Sequence, residues 1–142
     1  MEILELKHLS PYLPYGLKFV SHLDEIENYP KRNKLWTLDG ISKLFGDYCL
    51  NTLENSDAYP IKTIKPILKP LSDLSNEDLR LAMYNLKHYS HIDWTTIERE
   101  KLIEDRGFDG WFKDIPYVIV NYLFENHYDV FRLIDKKLAI SK

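Results

Sequence analysis

The chain has 142 residues, a formal net charge of −3 and a single cysteine. This length fits one domain over residues 1–142, and one cysteine excludes both an intramolecular disulfide and a site built from several thiolates. The weak net charge excludes a strong overall field toward nucleic acid or an anionic membrane. The uncharged apolar stretches are too short to cross a bilayer, and the acidic start Met1–Glu5 differs from a secretory signal. We therefore expect a cytoplasmic protein with no membrane partner.

The first half of the chain predicts short, extended elements. Six of the seven prolines lie in its first seventy residues, and proline disfavours long helices. The elements predicted there, in chain order, are a helical turn at 4–9, a strand opening after Gly16, a strand at 34–38, a hairpin turn at Asp39-Gly40 and an edge strand at 61–67.

Residues 41–53 fit two structures. Ile41, Leu44, Phe45 and Tyr48 have helical spacing, whereas Gly46-Asp47 is typical of a turn followed by a strand. We favour the strand, which would add to a small antiparallel sheet.

The second half predicts helices. Ser75 is a suitable N-cap for the first helix, Thr96 begins a charged helix that ends at Arg106, and Asp114 begins a third. The apolar spacing of the third continues to Ile134, as one long helix or two in line, and residues 138–140 predict a short returning strand. The predicted fold class is α+β, with a small antiparallel sheet from the N-terminal half packed against two or three C-terminal helices.

Candidate catalytic chemistry is sparse. His88, His91 and Asp93 form an H-x-x-H-x-D pattern whose side chains could bind zinc, although a polar loop between helices explains the pattern more simply. Cys49 lies between Tyr48 and Leu50, which favours a small buried side chain over a nucleophile. No phosphate-binding loop or hydrolase motif is present. We therefore expect a protein that is not an enzyme and needs no cofactor.

A basic run precedes an aromatic residue in the first half. Lys31, Arg32 and Lys34 are followed by Trp36, a combination that contacts phosphates and stacks on bases. Three charges in a proline-flanked loop also fit a solvated surface, so nucleic-acid contact is an alternative function.

An acidic segment at residues 93–114 carries the whole net charge, with seven acids against four bases. Within it the predicted helix 98–106 has charge spacing typical of a solvated helix surface. An acidic protein-binding face is the second interpretation, and Trp94 and Trp111 flank it as possible interface anchors.

Three stretches carry a resemblance to a known family. They are LKHLSPYLPYGLK at residues 6–18, IKPILKPLSDL at 64–74 and LFENHYDVF continuing to LIDKKLAI at 123–140. In this order they resemble small uncharacterised proteins of phages and prophages of Bacteroidota. The resemblance implies a mobile-element origin and favours strands over residues 34–67, but it brings no activity. The family usually has glycine before the final Leu-Ala-Ile, where this chain has Lys137.

From this resemblance we expect a protein that docks on a host protein in the host cytoplasm. The sharpest version is an inhibitor of a bacterial defence system, such as an anti-CRISPR protein acting on a CRISPR effector nuclease or its ribonucleoprotein. A nucleic-acid-binding accessory factor is the alternative, and a small hydrolase built around His88, His91 and Asp93 comes third. The residues predicted to bind the partner are Lys31, Arg32, Lys34, Trp94, Glu98, Glu100, Glu104, Asp105 and Trp111.

Overall fold

The computed structural model describes residues 2–22, 34–55, 57–84 and 117–142. In these ranges the chain forms strands, helices and single helical turns that combine into an α+β fold. The helices are α1 (Leu6–Leu9), α2 (Asn76–Tyr84) and α3 (Tyr117–Glu125), with 3₁₀ helices at Ser10–Tyr15, Ile61–Thr63 and Leu71–Asp73. The strands are β1 (Lys18–Ser21), β2 (Trp36–Leu44), β3 (Asp47–Thr52), β4 (Ala58–Pro60), β5 (Ile64–Leu68) and β6 (Ile140–Ser141).

The strands form one sheet in the order β4-β3-β2-β1-β5-β6. Every neighbouring pair is antiparallel except β5 and β6, which are parallel. The predicted antiparallel sheet from the N-terminal half is thus confirmed, with one parallel strand added from the C-terminal end. The predicted second helix, which begins at Thr96 and ends at Arg106, lies outside the described residues.

The strand prediction for residues 41–53 is confirmed, but the predicted hairpin turn is wrong. Asp39 and Gly40 lie inside β2, where the register shifts at a β-bulge, and the chain turns at Phe45-Gly46 instead. A Cβ on Gly40 would come within 3.3 Å of the Asn51 side chain, so glycine serves close cross-strand packing there. A glycine in a strand pattern therefore marked a bulge and not a turn.

The edge position predicted for β5 holds only for its first part. Its last two residues, Ile67 and Leu68, pair with β6, and Lys69 continues with an isolated parallel bridge to Tyr128. Pro66 precedes this paired part, so its missing N–H group is not needed by β6.

The predicted cap of α2 is confirmed. The backbone N–H of Asp78 donates to Ser75 Oγ at 3.1 Å, and the N–H of Ser75 donates back to the Asp78 carboxylate at 2.9 Å. This reciprocal capping box satisfies two amides that the helix start leaves without partners. Helix α2 packs against α3.

The predicted continuation of α3 to Ile134 is wrong, because the helix ends at Glu125. His127 has a φ of +60°, the N–H of Tyr128 donates to Leu123 O at 2.8 Å, and that of His127 donates to Phe124 O at 3.1 Å. These two bonds form a Schellman motif, with His127 in the left-handed position that glycine usually fills. Backbone bonds between the following residues and Lys69 then hold the chain against the end of β5.

A second Schellman motif precedes β6. The N–H of Leu138 donates to Leu133 O at 2.8 Å and that of Lys137 to Ile134 O at 3.0 Å, with Lys137 at φ +60°. The chain therefore leaves this turn at Lys137, and the predicted returning strand follows at Ile140.

The buried apolar residues of the described ranges form one cluster between the sheet and the helices. At its centre Tyr12 is fully buried, and its hydroxyl donates to Tyr128 O at 2.6 Å and accepts from the Val130 N–H at 3.4 Å. The rings of Tyr12 and Phe124 meet edge to face, with centroids 5.0 Å apart. None of the helices in the described ranges is both long and apolar enough to cross a membrane.

Candidate docking surface

The β2–β3 hairpin ends in a two-residue turn at Phe45-Gly46, closed by the pair Leu44 and Asp47. Phe45 has a φ of +50° and Gly46 a φ of +86°, the sign pattern of a type I′ turn. This turn matches the twist of the strands, and its first position favours asparagine, aspartate or glycine. We call residues 43–48 the hairpin tip.

Apolar side chains of the hairpin tip face solvent. Phe45 is fully exposed, while Leu44 and Tyr48 are each exposed by more than two fifths. Side chains alternate between the two faces of a strand, so Leu44 projects from the face opposite to Tyr48, with Phe45 between them at the apex. The tip therefore presents apolar surface on both faces and at its end.

The neighbours of Phe45 have partners within the fold. Lys43 Nζ lies 5.6 Å from the centroid of the Tyr48 ring, and Asp47 pairs with Lys62 at 3.9 Å. Phe45 lies outside the buried cluster and its immediate neighbours. Folding therefore accounts for the residues at its sides but not for an aromatic ring at the apex.

Among the partner-binding residues predicted from the sequence, only Lys34 is described. Lys34 is exposed, and its Nζ lies 4.1 Å from the centroid of the Trp36 ring. The structure therefore does not test whether the predicted residues form one surface. The predicted residues outside the described ranges are Lys31, Arg32, Trp94, Glu98, Glu100, Glu104, Asp105 and Trp111.

Trp36 does not stack on bases in this fold. It is 1 % exposed, and its ring lies 5.4 Å from that of Tyr59, centroid to centroid. The aromatic residue of the basic run is thus part of the core.

The predicted burial of Cys49 is confirmed, since its side chain lies in β3 with 5 % exposure. Within the described ranges, no three histidine, cysteine or acidic side chains are grouped closely enough to hold a metal ion. The pattern at His88, His91 and Asp93 lies outside those ranges.

Among the described residues, the Asp78 carboxylate accepts the most side-chain and backbone hydrogen bonds in the helical layer. Besides the Ser75 amide it accepts from the hydroxyls of Ser75 at 2.7 Å, Tyr122 at 3.3 Å and Tyr128 at 3.4 Å. The Ser75 amide, followed by these hydroxyls, lowers the pKa of Asp78, whereas burial raises that of Tyr128 to about 12. A carboxylate held in its ionised form by these donors locks α2 to α3 and is a poor proton acceptor.

A groove of about 420 Å³ runs between α2 and α3. Its lining consists mainly of apolar and amide side chains, and Glu125 is the only acidic residue among the described lining residues. These residues do not place a nucleophile next to a base. The lining residues are Leu81, Ala82, Val118, Asn121, Tyr122, Glu125 and Asn126.

In the sequence, Phe45 lies in the segment that fits either a helix or a strand, and its exposure was not predicted. The sequence signal for an exposed turn residue was a phenylalanine directly before glycine between two predicted strands. Whether that side chain is exposed, however, depends on which parts of the chain pack over it.

Comparison of the chain with protein-family models, curated proteins and solved structures finds no match.

Proposed function

We propose that this protein is a binding protein that docks on another protein by inserting the hairpin tip into an apolar pocket. The observation that carries the proposal is Phe45, which is fully exposed and held at φ +50°. Aromatic residues are the most frequent energetic anchors of protein interfaces. A two-residue turn on a paired hairpin also presents such an anchor in a fixed orientation, which lowers the entropy lost on binding.

Stability alone favours another residue at position 45. A left-handed conformation costs a residue with a Cβ about 1 kcal/mol, and asparagine or glycine reduces this cost. An exposed ring recovers little of it through burial, since the hydrophobic gain is proportional to the area removed from water. A partner pocket that covers Phe45 would provide this burial.

The sharpest version of the proposal is a phage or prophage protein that inhibits a bacterial defence system, such as an anti-CRISPR protein. It rests on the sequence resemblance and on the acidic residues 93–114, which suit a basic partner that handles nucleic acid. A CRISPR effector nuclease or its ribonucleoprotein is such a partner. In this version the protein blocks its target by occupation and catalyses nothing.

An affinity capture with two matched variants tests the proposal. The tagged protein is exposed to lysate of a host that carries its defence systems, with and without nuclease, and recovered proteins are quantified by mass spectrometry. Phe45→Asn removes the anchor and suits the positive φ. Leu53→Asn removes an apolar side chain that is 68 % exposed at the opposite end of β3.

We expect one protein to be recovered equally by the native chain and L53N, with and without nuclease, and to decrease at least about tenfold with F45N. The free energy of unfolding of F45N should be equal or higher by roughly 0.5 to 1 kcal/mol, so misfolding would not explain the loss. Equal recovery by F45N and the native chain would contradict the proposal. Recovery that disappears with nuclease would favour the nucleic-acid alternative instead.

A further inference from the structure

The β2–β3 hairpin extends beyond the strand on its other side. Strand β1 pairs with β2 only at Trp36 and Thr37, and the N–H of Leu38 donates to Leu17 O at 2.8 Å. After the bulge, β2 continues through Leu44 with β3 on one side. In the described ranges no strand pairs with the other side of residues 41–44.

The hydrogen-bond pattern of the hairpin identifies the unpaired backbone groups. In a two-residue turn the flanking residues, here Leu44 and Asp47, bond to each other, and such bonded pairs alternate along an antiparallel ladder. Ser42 and Gly40 therefore also bond to β3, whereas the N–H and C=O groups of Ile41 and Lys43 point away from it. Backbone groups of this kind form a template for another strand.

The other open edges in the described part of the sheet are poorer templates. The open side of β5 covers only residues 64–66 and includes a proline. Strand β4 has three residues and ends in Pro60, which has no N–H group, and β6 has two residues. The outer edge of residues 41–44 is the longest open edge in the described part of the sheet.

We propose that this edge pairs with the same edge of a second copy, antiparallel about a two-fold axis at Ser42. In this register Ile41 lies opposite Lys43 of the second copy, and both residue pairs exchange their N–H and C=O groups. A symmetric dimer requires such a self-complementary patch, and two-fold dimers are the commonest oligomers.

Charge favours this register. Lys43 faces an isoleucine and lies diagonal to the exposed Asp39 of the second copy, within reach of a long side chain, and symmetry repeats the pair. An axis at Lys43 would place two lysines opposite each other, which is destabilising. An axis at Ile41 would bring the bulge at Asp39 into the ladder. The two hairpin tips of the favoured dimer point in opposite directions, and this register places each Phe45 beside Asp39 of the second copy.

Sedimentation equilibrium at protein concentrations of about 10 µM to 1 mM tests the dimer. The native chain is compared with two variants of position 43, one with proline and one with threonine. Lys43→Pro removes the outward N–H and leaves the β3 ladder intact, since Lys43 does not bond to β3. Lys43→Thr removes the same charge and keeps the N–H. We expect the native mass to approach twice 16.9 kDa. The dissociation constant should rise at least about tenfold in K43P and about threefold in K43T.

A charge reversal gives a second measurement that does not depend on how K43P folds. Asp39→Lys should weaken the dimer, and adding Lys43→Asp should restore it to within about twofold. A native chain that stays monomeric overturns the proposal, as does a dimer that neither K43P nor the charge reversal changes. L53N, whose changed side chain lies at the far end of β3, should leave the dimer unchanged. The dimer is measured on the isolated native chain and the capture on its partner, so the two tests fail separately. An extended strand of a different protein at this edge would leave the native chain monomeric by itself.

Discussion

The hairpin tip and the C-terminal segment 126–139 both hold bulky residues at positive φ, and they differ in what surrounds those residues. His127 and Lys137 occupy Schellman motifs, and the His127 Nε2 lies 2.7 Å from Tyr15 O. Phe45 has the same kind of backbone conformation but a ring in solvent. Backbone strain compensated by local bonds indicates a folding role, whereas strain without compensation is more typical of a binding role.

The largest expected effect lies in the C-terminal segment. Asp129 is 4 % exposed, and its carboxylate accepts from the amides of Leu133 and Ile134, both at 2.8 Å. Burial raises its pKa despite these bonds, because desolvation disfavours the charged form. Asp129→Ala leaves the amides without an acceptor and should lower the free energy of unfolding, measured in urea, by about 3 kcal/mol.

The control for this variant is Asp135→Ala. Asp135 belongs to the same segment and pairs with Arg132 at 3.9 Å, but its side chain is 75 % exposed. An exposed pair of this kind contributes less than about 1 kcal/mol, so D135A should change stability little. Similar losses in the two variants would show that the segment is not held by the buried carboxylate.

A smaller effect distinguishes compensated from uncompensated strain. His127→Gly relieves the left-handed conformation but loses the Tyr15 contact and a half-buried ring, so we expect a net loss of about 1 kcal/mol. Lys137→Gly relieves the same conformation and loses only an exposed side chain. It should therefore gain roughly 0.5 to 1 kcal/mol, as should F45N. A gain in H127G as large as that in K137G would mean that the Tyr15 contact compensates nothing.

The smallest expected effect is a pH dependence. Burial is the main cause that lowers the pKa of both His8 and His127 below the ordinary histidine value. The Nδ1 of His8 also accepts from the Glu5 N–H at 3.0 Å, so the neutral ring is the form that the fold uses. The unfolded chain thus binds protons more readily, and stability is full above about pH 6.5 and decreases as the pH falls below it.

Urea unfolding at about pH 7.5 and 5.5 measures this dependence, in a window above the ordinary pKa of carboxylates. Replacing both histidines by asparagine, which tolerates the left-handed position of residue 127, should flatten the slope. An unchanged slope in the double variant would assign the dependence to other groups.

Local chemistry explains which parts of the fold the sequence predicted. The cap of α2 depends on Ser75 and Asp78, three residues apart, and Ser75 was predicted as the N-cap from its residue type. The Asp39-Gly40 pair is typical of a turn, but Asn51 on the next strand makes it a bulge. No local pattern records such a partner.

The same distinction applies to the long helix and to the candidate site. The end of α3 depends on His127 and Tyr128 meeting Tyr15 and Lys69, which are far away in the chain. The three-four spacing beyond Glu125 continues without a helix, and its members His127, Phe131 and Ile134 are only half-buried there. Phe45 is a candidate because no described residue covers it, and coverage is a property of the whole fold.

The hydrogen bond between Tyr12 and Tyr128 spans 116 positions of the chain. During synthesis, the first helical turns and the ladder from β1 to β5 can form while the C-terminal segment is still inside the ribosome. The buried hydroxyl of Tyr12 has no acceptor until residue 128 emerges, and β5 has no parallel neighbour until residue 140 does. Contacts this distant make folding slow, because loop closure must precede the contacts that stabilise it. The nascent sheet therefore has to remain unaggregated, with its core incomplete, until residue 140 has been made.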